Sequence, residues 1–218
     1  ALSSAASDVY KRQLIHMGLN ENNYGMSPKA VAALEDSMAG SHFYPDFAAV
    51  LLKQKVAEQY GLKAENVLTG AGSSAMIDMI GLTFLDEGDE VLFSAPTYGA
   101  FADMAYLNGG VPVSVPVTEE QKFNLPAMKE KIGEKTKIVV ICNPNNPTGA
   151  LYPKEVLQQI VELAREHQLI IFSDEIYDRL VMDGLEHVSI ASLAPDLFCV
   201  TFSGLSKSHM IAGFRIGW

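Results

Sequence analysis

KIVVICNPNNPTG, residues 137–149, decides the fold: an apolar, β-branched run from Lys137 to Ile141 stops in a loop of prolines and asparagines. The run has the length and the residue types of a strand. Past the loop, Pro153–His167 reads as an amphipathic helix and Leu169–Phe172 as another short apolar strand. Strand, helix and strand in that order make a βαβ unit, which brings parallel pairing with it.

Outward from this unit the same alternation continues. Strands are predicted at Val67–Thr69, Glu90–Phe93, Val111–Val115 and Phe198–Phe202, and helices over 74–85, 98–107 and 125–132. Nearer the start, Ser27-Pro28 opens a helix over 28–39, with Ser27 as N-cap and Pro28 at the first helical position. A second helix runs from Asp46 to Tyr60 and is stopped by Gly61. The expected fold is α/β, with a mostly parallel central sheet between helical layers.

Composition narrows the partners. The 218 residues carry 16 Lys+Arg against 26 Asp+Glu, a formal charge of -10, and the longest basic cluster is Lys11-Arg12. Nucleic-acid binding needs a concentrated positive face, so it is not expected. No apolar run approaches the roughly 18 residues of a membrane span. Cys142 and Cys199 both sit in apolar runs, where reduced, buried thiols are the default, and a cytoplasmic protein is expected. The five histidines form no metal-ligand spacing; packing or solvated roles are expected for them, with His209 close enough to Lys207 in sequence to reach the same site. Residues 1–13, ALSSAASDVYKRQ, lack the apolar core of a secretory signal and resemble translated adapter sequence, so they read as a non-native leader. At the other end Phe214–Trp218 reads as a strand in mid-course, and the chain is expected to be a fragment.

Polar motifs follow the strands. GAGSS comes after Thr69, APTY after Ser94, NPNNPTG after Cys142, DEIY after Ser173 and SGLSK after Phe202. In an open α/β sheet ligands bind at the carboxyl ends of the strands, so these five motifs converge on one ligand. Each has a plainer alternative. Gly70-Ala71-Gly72-Ser73-Ser74-Ala75 matches G-x-G-x-x-A, but the acidic residue that a dinucleotide site needs is replaced by Ser94-Ala95-Pro96. What remains is a glycine turn feeding a helix N-terminus that holds a phosphate, or a turn without a ligand. Lys207, just past an apolar strand, is either a desolvated amine suited to Schiff-base chemistry or a solvated loop lysine. Asp174 leaves a buried strand and needs a cation, unless it only caps the next segment. Tyr98 is an aromatic plate or a core residue. The loop at 143–149 is a simple turn or the mount for a fixed amide.

The combination NPNNPTG, DEIY and SGLSK, with Arg215 eight residues beyond Lys207, resembles the large domain of fold-type I pyridoxal 5′-phosphate (PLP) enzymes, the class I/II aminotransferases, from Leu19 to Trp218. That resemblance implies a three-layer αβα PLP-dependent transferase domain of aspartate aminotransferase type. It also implies roles. Lys207 is expected to form the aldimine with the cofactor and to shuttle the substrate proton, Asp174 to pair with the pyridinium N–H, and Asn146 and Tyr177 to bind the phenolic oxygen. Tyr98 is expected to stack on the ring. Ser73, Ser74, Ser203, Ser206 and Arg215 are expected to hold the phosphate.

The start of the chain, LNENNYGMSPKA with FYPDF, is similar to histidinol-phosphate aminotransferases, which have proline where this chain has Asn23. By that likeness Asn20, Asn22 and Tyr24 are substrate-lining arm residues, and Tyr44 reaches the phosphate of a partner subunit in a homodimer. The second half, from Tyr177 onward, looks more like bacterial alanine and aspartate-type aminotransferases, which leaves an intermediate subfamily and a chimaeric assembly both open. The division expected is a leader (1–13), an arm with the first helix (14–40) and the PLP-binding large domain (41–218). The C-terminal small domain and its carboxylate-binding arginine are expected to be missing, so that this fragment would not turn over. The implied reaction moves an amino group between an L-amino acid, or an amine such as histidinol phosphate, and a 2-oxo acid. A C–S lyase or decarboxylase on the same site, and a non-catalytic PLP-binding regulator, are the alternatives.

Overall fold

The structure, a computed structural model, describes residues 18–218; the expected leader and the first four arm residues lie outside them. Helix α1 spans Pro28–Ser37 and α2 Val50–Tyr60. The Asp46 carboxylate caps the start of α2, accepting from the N–H groups of Ala48 at 2.9 Å and Val50 at 2.8 Å, and Gly61 ends it at φ 66°. Ser27 makes no side-chain cap on α1, contrary to expectation; Pro28 alone marks the start.

Next come β1 (Gly70–Ala71), α3 (Gly72–Phe84), β2 (Glu90–Ala95), α4 (Ala100–Leu107), β3 (Val111–Pro116) and α5 (Leu125–Lys131). They are followed by β4 (Thr136–Cys142), α6 (Lys154–His167), β5 (Ile170–Asp174), β6 (Cys199–Phe202) and β7 (Ile216–Gly217). The main sheet has five strands in the order β3-β2-β4-β5-β6, every pair parallel. β1 and β7 form a separate antiparallel pair.

Alternation along β4 builds the three layers. Ile138 and Val140 pack with Met76, Ile77 and Ile80 of α3 and Phe101 and Met104 of α4. Val139 and Ile141 point to the opposite face, against Met128 of α5 and Leu157, Ile160, Val161 and Ala164 of α6. The α6 positions recur at 3, 4 and 7, one stripe of a helix. Each of these Val, Leu, Ile, Met and Phe side chains, when fully buried, contributes about 1.5–3 kcal/mol.

Two segments read as strands behave otherwise. Residues 67–69 are not paired; Val67 instead packs with Val56 and Ala57 of α2 and the partly buried Trp218. The apolar signal there comes from a satellite cluster rather than a sheet. At 214–218 only Ile216 and Gly217 are strand, because Arg215 adopts the left-handed conformation at φ 53°.

Candidate active site

The sheet order changes direction between β2 and β4, since β3 lies on one side of β2 while β4, β5 and β6 extend on the other. Crevices open at such switch points, at the carboxyl ends of the strands. A cleft of about 390 Å³ lies there, lined by Leu19, Asn20, Ser73, Ser74, Tyr98, Asn146, Asp174, Ile176, Tyr177, Ser206, Lys207, Ala212 and Arg215. Tyr98 follows β2, Asn146 follows β4, Asp174 is the last residue of β5, and Lys207 sits in the turn after β6.

Ser73 and Ser74 occupy the first turn of α3, where backbone N–H groups lack helical partners and the dipole end is positive. Gly72, at φ +84°, has a backbone that L side chains rarely adopt, and a Cβ there would run into the Arg215 guanidinium. A glycine is thus required twice over. Arg215 donates to Ala212 O at 2.9 Å and Ser206 Oγ at 3.5 Å, which keeps a cation beside the helix N-terminus. The result is a small anion cradle.

Opposite in character is Asp174. Its carboxylate is buried and accepts one hydrogen bond among the described residues, from Ile176 N–H at 3.2 Å. Burial pushes its pKa up to about 6. Lys207 is half-buried, and desolvation, helped by the Arg215 charge, lowers its pKa from the usual lysine value. Its Nζ donates to the carbonyls of Leu19 at 2.7 Å and Asn20 at 3.2 Å. The Asn20 amide donates to Tyr177 Oη at 2.8 Å, and the hydroxyls of Ser74 and Tyr98 are 3.5 Å apart.

Asn146 is held by its own backbone: its N–H donates to Cys142 Sγ at 3.4 Å. That thiol is buried, and desolvation raises its pKa to about 12, so it remains a thiol. The next-door Asn145 braces the loop, accepting from Thr148 N–H at 3.2 Å and Thr148 Oγ1 at 2.9 Å.

Ten of the expected site residues therefore meet in one cleft: Asn20, Ser73, Ser74, Tyr98, Asn146, Asp174, Tyr177, Ser206, Lys207 and Arg215. Ser203 does not line it; it is buried, backbone-paired with Trp218, with its hydroxyl beside Tyr60. Asn22, Tyr24 and Tyr44 are exposed and lie outside the cleft of this chain. The reading of the sequence missed Leu19, whose contribution is a backbone carbonyl, and Ile176 and Ala212, apolar residues with no motif signal. Among the described residues no group of three or more His, Cys, Asp and Glu could hold a metal ion, and no helix is long and apolar enough to cross a membrane.

The family profile "Aminotransferase class I and II" matches residues 12–218. An alanine aminotransferase of Mycobacterium tuberculosis is 46% identical over 156 residues, covering 71% of this chain and 36% of the relative. A glutamate-pyruvate aminotransferase of Haemophilus influenzae is 44% identical over 184 residues, covering 80% of this chain and 46% of the relative. Among solved structures, an aminotransferase from Escherichia coli superposes with a TM-score of 0.91 at 34% identity, over 100% of this chain and 57% of that one. The aspartate aminotransferase of Thermus thermophilus with maleate gives 0.90 at 28% identity, over 99% and 59%. The chain thus spans about half, or less, of the length of the relatives it matches.

Proposed function

The chain belongs to the class I and II aminotransferases, and on that footing we propose that its cleft binds pyridoxal 5′-phosphate and transfers an amino group between an L-amino acid and a 2-oxo acid. The observation that carries the reading is Asp174: a buried carboxylate with one hydrogen bond among the described residues, facing the same cleft as a partly desolvated lysine. A buried carboxylate needs a cation, and a protonated ring nitrogen supplies one. The donor set fits the rest of the cofactor as well, since the Ser73 and Ser74 N–H groups with Arg215 suit a phosphate and Tyr98 suits an aromatic ring.

When bound, pyridoxal phosphate supplies an electron sink for charge developing at the substrate Cα. Asp174 holds the proton on the ring nitrogen. Asn146 and Tyr177 donate to the phenolic oxygen, and Ser206 adds a hydroxyl to the phosphate shell. Lys207 Nζ, with its lowered pKa, is the nucleophile that anchors the cofactor and the base that moves the proton at the substrate Cα. Asn20 closes the cleft on the substrate side. The names of the relatives favour alanine or glutamate as donor and pyruvate as an oxo acid.

In the same reading residues 14–40 are an arm with the first helix, and two copies associate with Asn22, Tyr24 and Tyr44 turned towards the neighbouring subunit. The run of exposed Tyr24, Phe43, Tyr44 and Phe47 supports that arrangement. The test is the visible absorbance of the protein with pyridoxal phosphate and its trapping by borohydride. Lys207→Ala is expected to abolish both, and an unchanged trapped adduct in that variant would show that the lysine is not the anchor. An amino-donor screen on the full-length protein then identifies the substrate pair.

A further inference from the structure

One residue beyond Asp174 lies a second buried carboxylate, Glu175, which does not line the cleft. Its Oε1 accepts from Ser173 Oγ at 2.8 Å, Ser189 Oγ at 3.1 Å and Ile190 N–H at 3.2 Å. Its Oε2 faces His187 Nε2 at 3.5 Å, and that ring nitrogen is buried with no hydrogen-bond partner among the described residues. The His187 ring also lies beside the backbone of Asn143. Asn143 in turn donates its N–H to Asp174 O at 2.9 Å and begins the loop that carries Asn146. Finally, the Glu175 N–H is bonded to Phe202 O at the end of β6, at 2.9 Å.

These contacts bear on the cleft because Asp174 has so few of its own. Among the described residues the one bond to its carboxylate comes from Ile176, so the direction of that carboxylate is set by the backbone of 174–176. Glu175 sits in the middle of this segment and is tied through its carboxylate to Ser173, Ser189, Ile190 and His187 and through its N–H to Phe202. We propose that Glu175, backed by His187, is a positioning residue for the cofactor site, fixing the Asp174 backbone and, through Asn143, the loop that bears Asn146. The proposal rests on the pyridoxal phosphate reading above.

A hydrocarbon of the same size would fill the space but satisfy none of the three donors, and unpartnered buried donors are costly. Charge adds a second signature. Burial pushes Glu175 up to about 7 and His187 below the usual histidine value, so the pair changes charge near neutrality. The other ionisable groups bearing on it are Asp178, which faces both members, Cys199 of β6 and the adjacent Asp174. Cys199 is raised to about 12 by burial and stays neutral, while Asp174 titrates on its own near 6.

The test measures pyridoxal phosphate affinity of the full chain from pH 5.5 to 8.5, with thermal midpoints taken alongside. Glu175→Leu is expected to weaken affinity about tenfold, the low end of what supporting residues contribute at metal sites. Glu175→Gln keeps an acceptor for the three donors, so its affinity at pH 8 should stay within about threefold of wild type, while the component of the pH profile near 7 disappears. A residue needed only for folding would lower the midpoint and move neither readout. If Glu175→Leu does not fold, the pH profile of Glu175→Gln still decides. Wild-type affinity in Glu175→Leu, or a wild-type pH profile in Glu175→Gln, overturns the proposal while the functional reading stands. A wild-type chain that binds no pyridoxal phosphate overturns both.

Discussion

Asp174 and Glu175 are 3% and 4% exposed, so depth of burial does not distinguish them. Their surroundings do. Behind the cleft wall Glu175 collects three donors on one oxygen and a histidine opposite the other. On the cleft side Asp174 collects one backbone N–H among the described residues. Leaving a buried carboxylate short of partners costs folding free energy. Among the described residues the chain places three donors on Glu175 and one on Asp174, the arrangement that the proposed cofactor role of Asp174 calls for. Glu175, by contrast, is completed by the chain itself.

The contrast breaks most visibly on cofactor affinity. Asp174→Ala should weaken pyridoxal phosphate binding about 100-fold, the loss typical of truncating one partner of a buried charged hydrogen bond. Equilibrium dialysis reads this directly. Losses of equal size in Asp174→Ala and Glu175→Gln would erase the distinction between the two carboxylates.

A smaller effect concerns stability without cofactor. The Asp174 pKa is raised from 3.8 to about 6, so its contribution is complete below 3.8 and is lost as pH rises through 6. Asp174→Asn should therefore stabilise the cofactor-free chain at pH 8, by roughly 3 kcal/mol at most, and leave it unchanged at pH 4. Glu175→Gln has the same sign, with the window shifted towards 7. Added pyridoxal phosphate separates them: the Asp174→Asn gain should turn into a loss, because the ring nitrogen now lacks its anion, whereas the Glu175→Gln gain should persist. Thermal midpoints at both pH values with and without cofactor make the comparison, and a gain for Asp174→Asn that survives the cofactor would contradict it.

The same asymmetry explains what could be read from the sequence. The parallel strands were legible because full burial on both faces leaves runs such as Ile138–Ile141 with no polar interruption. Most cleft residues were legible because their motifs stand together at strand ends; each motif alone had a plainer use, and Asn20 and Arg215 were found through the family resemblance. Val67–Thr69 misled because an apolar triplet serves a satellite cluster as well as a strand. Ser203 was grouped with Ser206 by motif, yet its burial beside Tyr60 depends on how residues 216–218 fold back across it. Glu175 was hidden by adjacency: in DEIY the resemblance gives roles to Asp174 and Tyr177 and none to Glu175, whose contacts with Ser189, Ile190 and His187 arise only when residues 187–190 fold against it. Leu19 acts through a carbonyl, which no side-chain pattern encodes.

The smallest expected effect probes how firmly the cleft side holds its own groups. Asn146 is fixed by a sulfur contact, its N–H on Cys142 Sγ at 3.4 Å, and the thiol reaches Pro144 O at 3.5 Å. Sulfur is a weak donor and a weak acceptor, so this anchor is softer than the oxygen bonds that hold Glu175. Cys142→Ala should lower pyridoxal phosphate affinity only about threefold, in line with a contact worth under 1 kcal/mol. The informative quantity is its coupling to Asn146. If the sulfur acts by aiming the Asn146 amide, Asn146→Ala should cost less affinity in the Cys142→Ala background than in the wild type. Additive losses would show that Cys142 merely fills space beneath the loop, and that the amide is held by the Asn145–Thr148 brace alone.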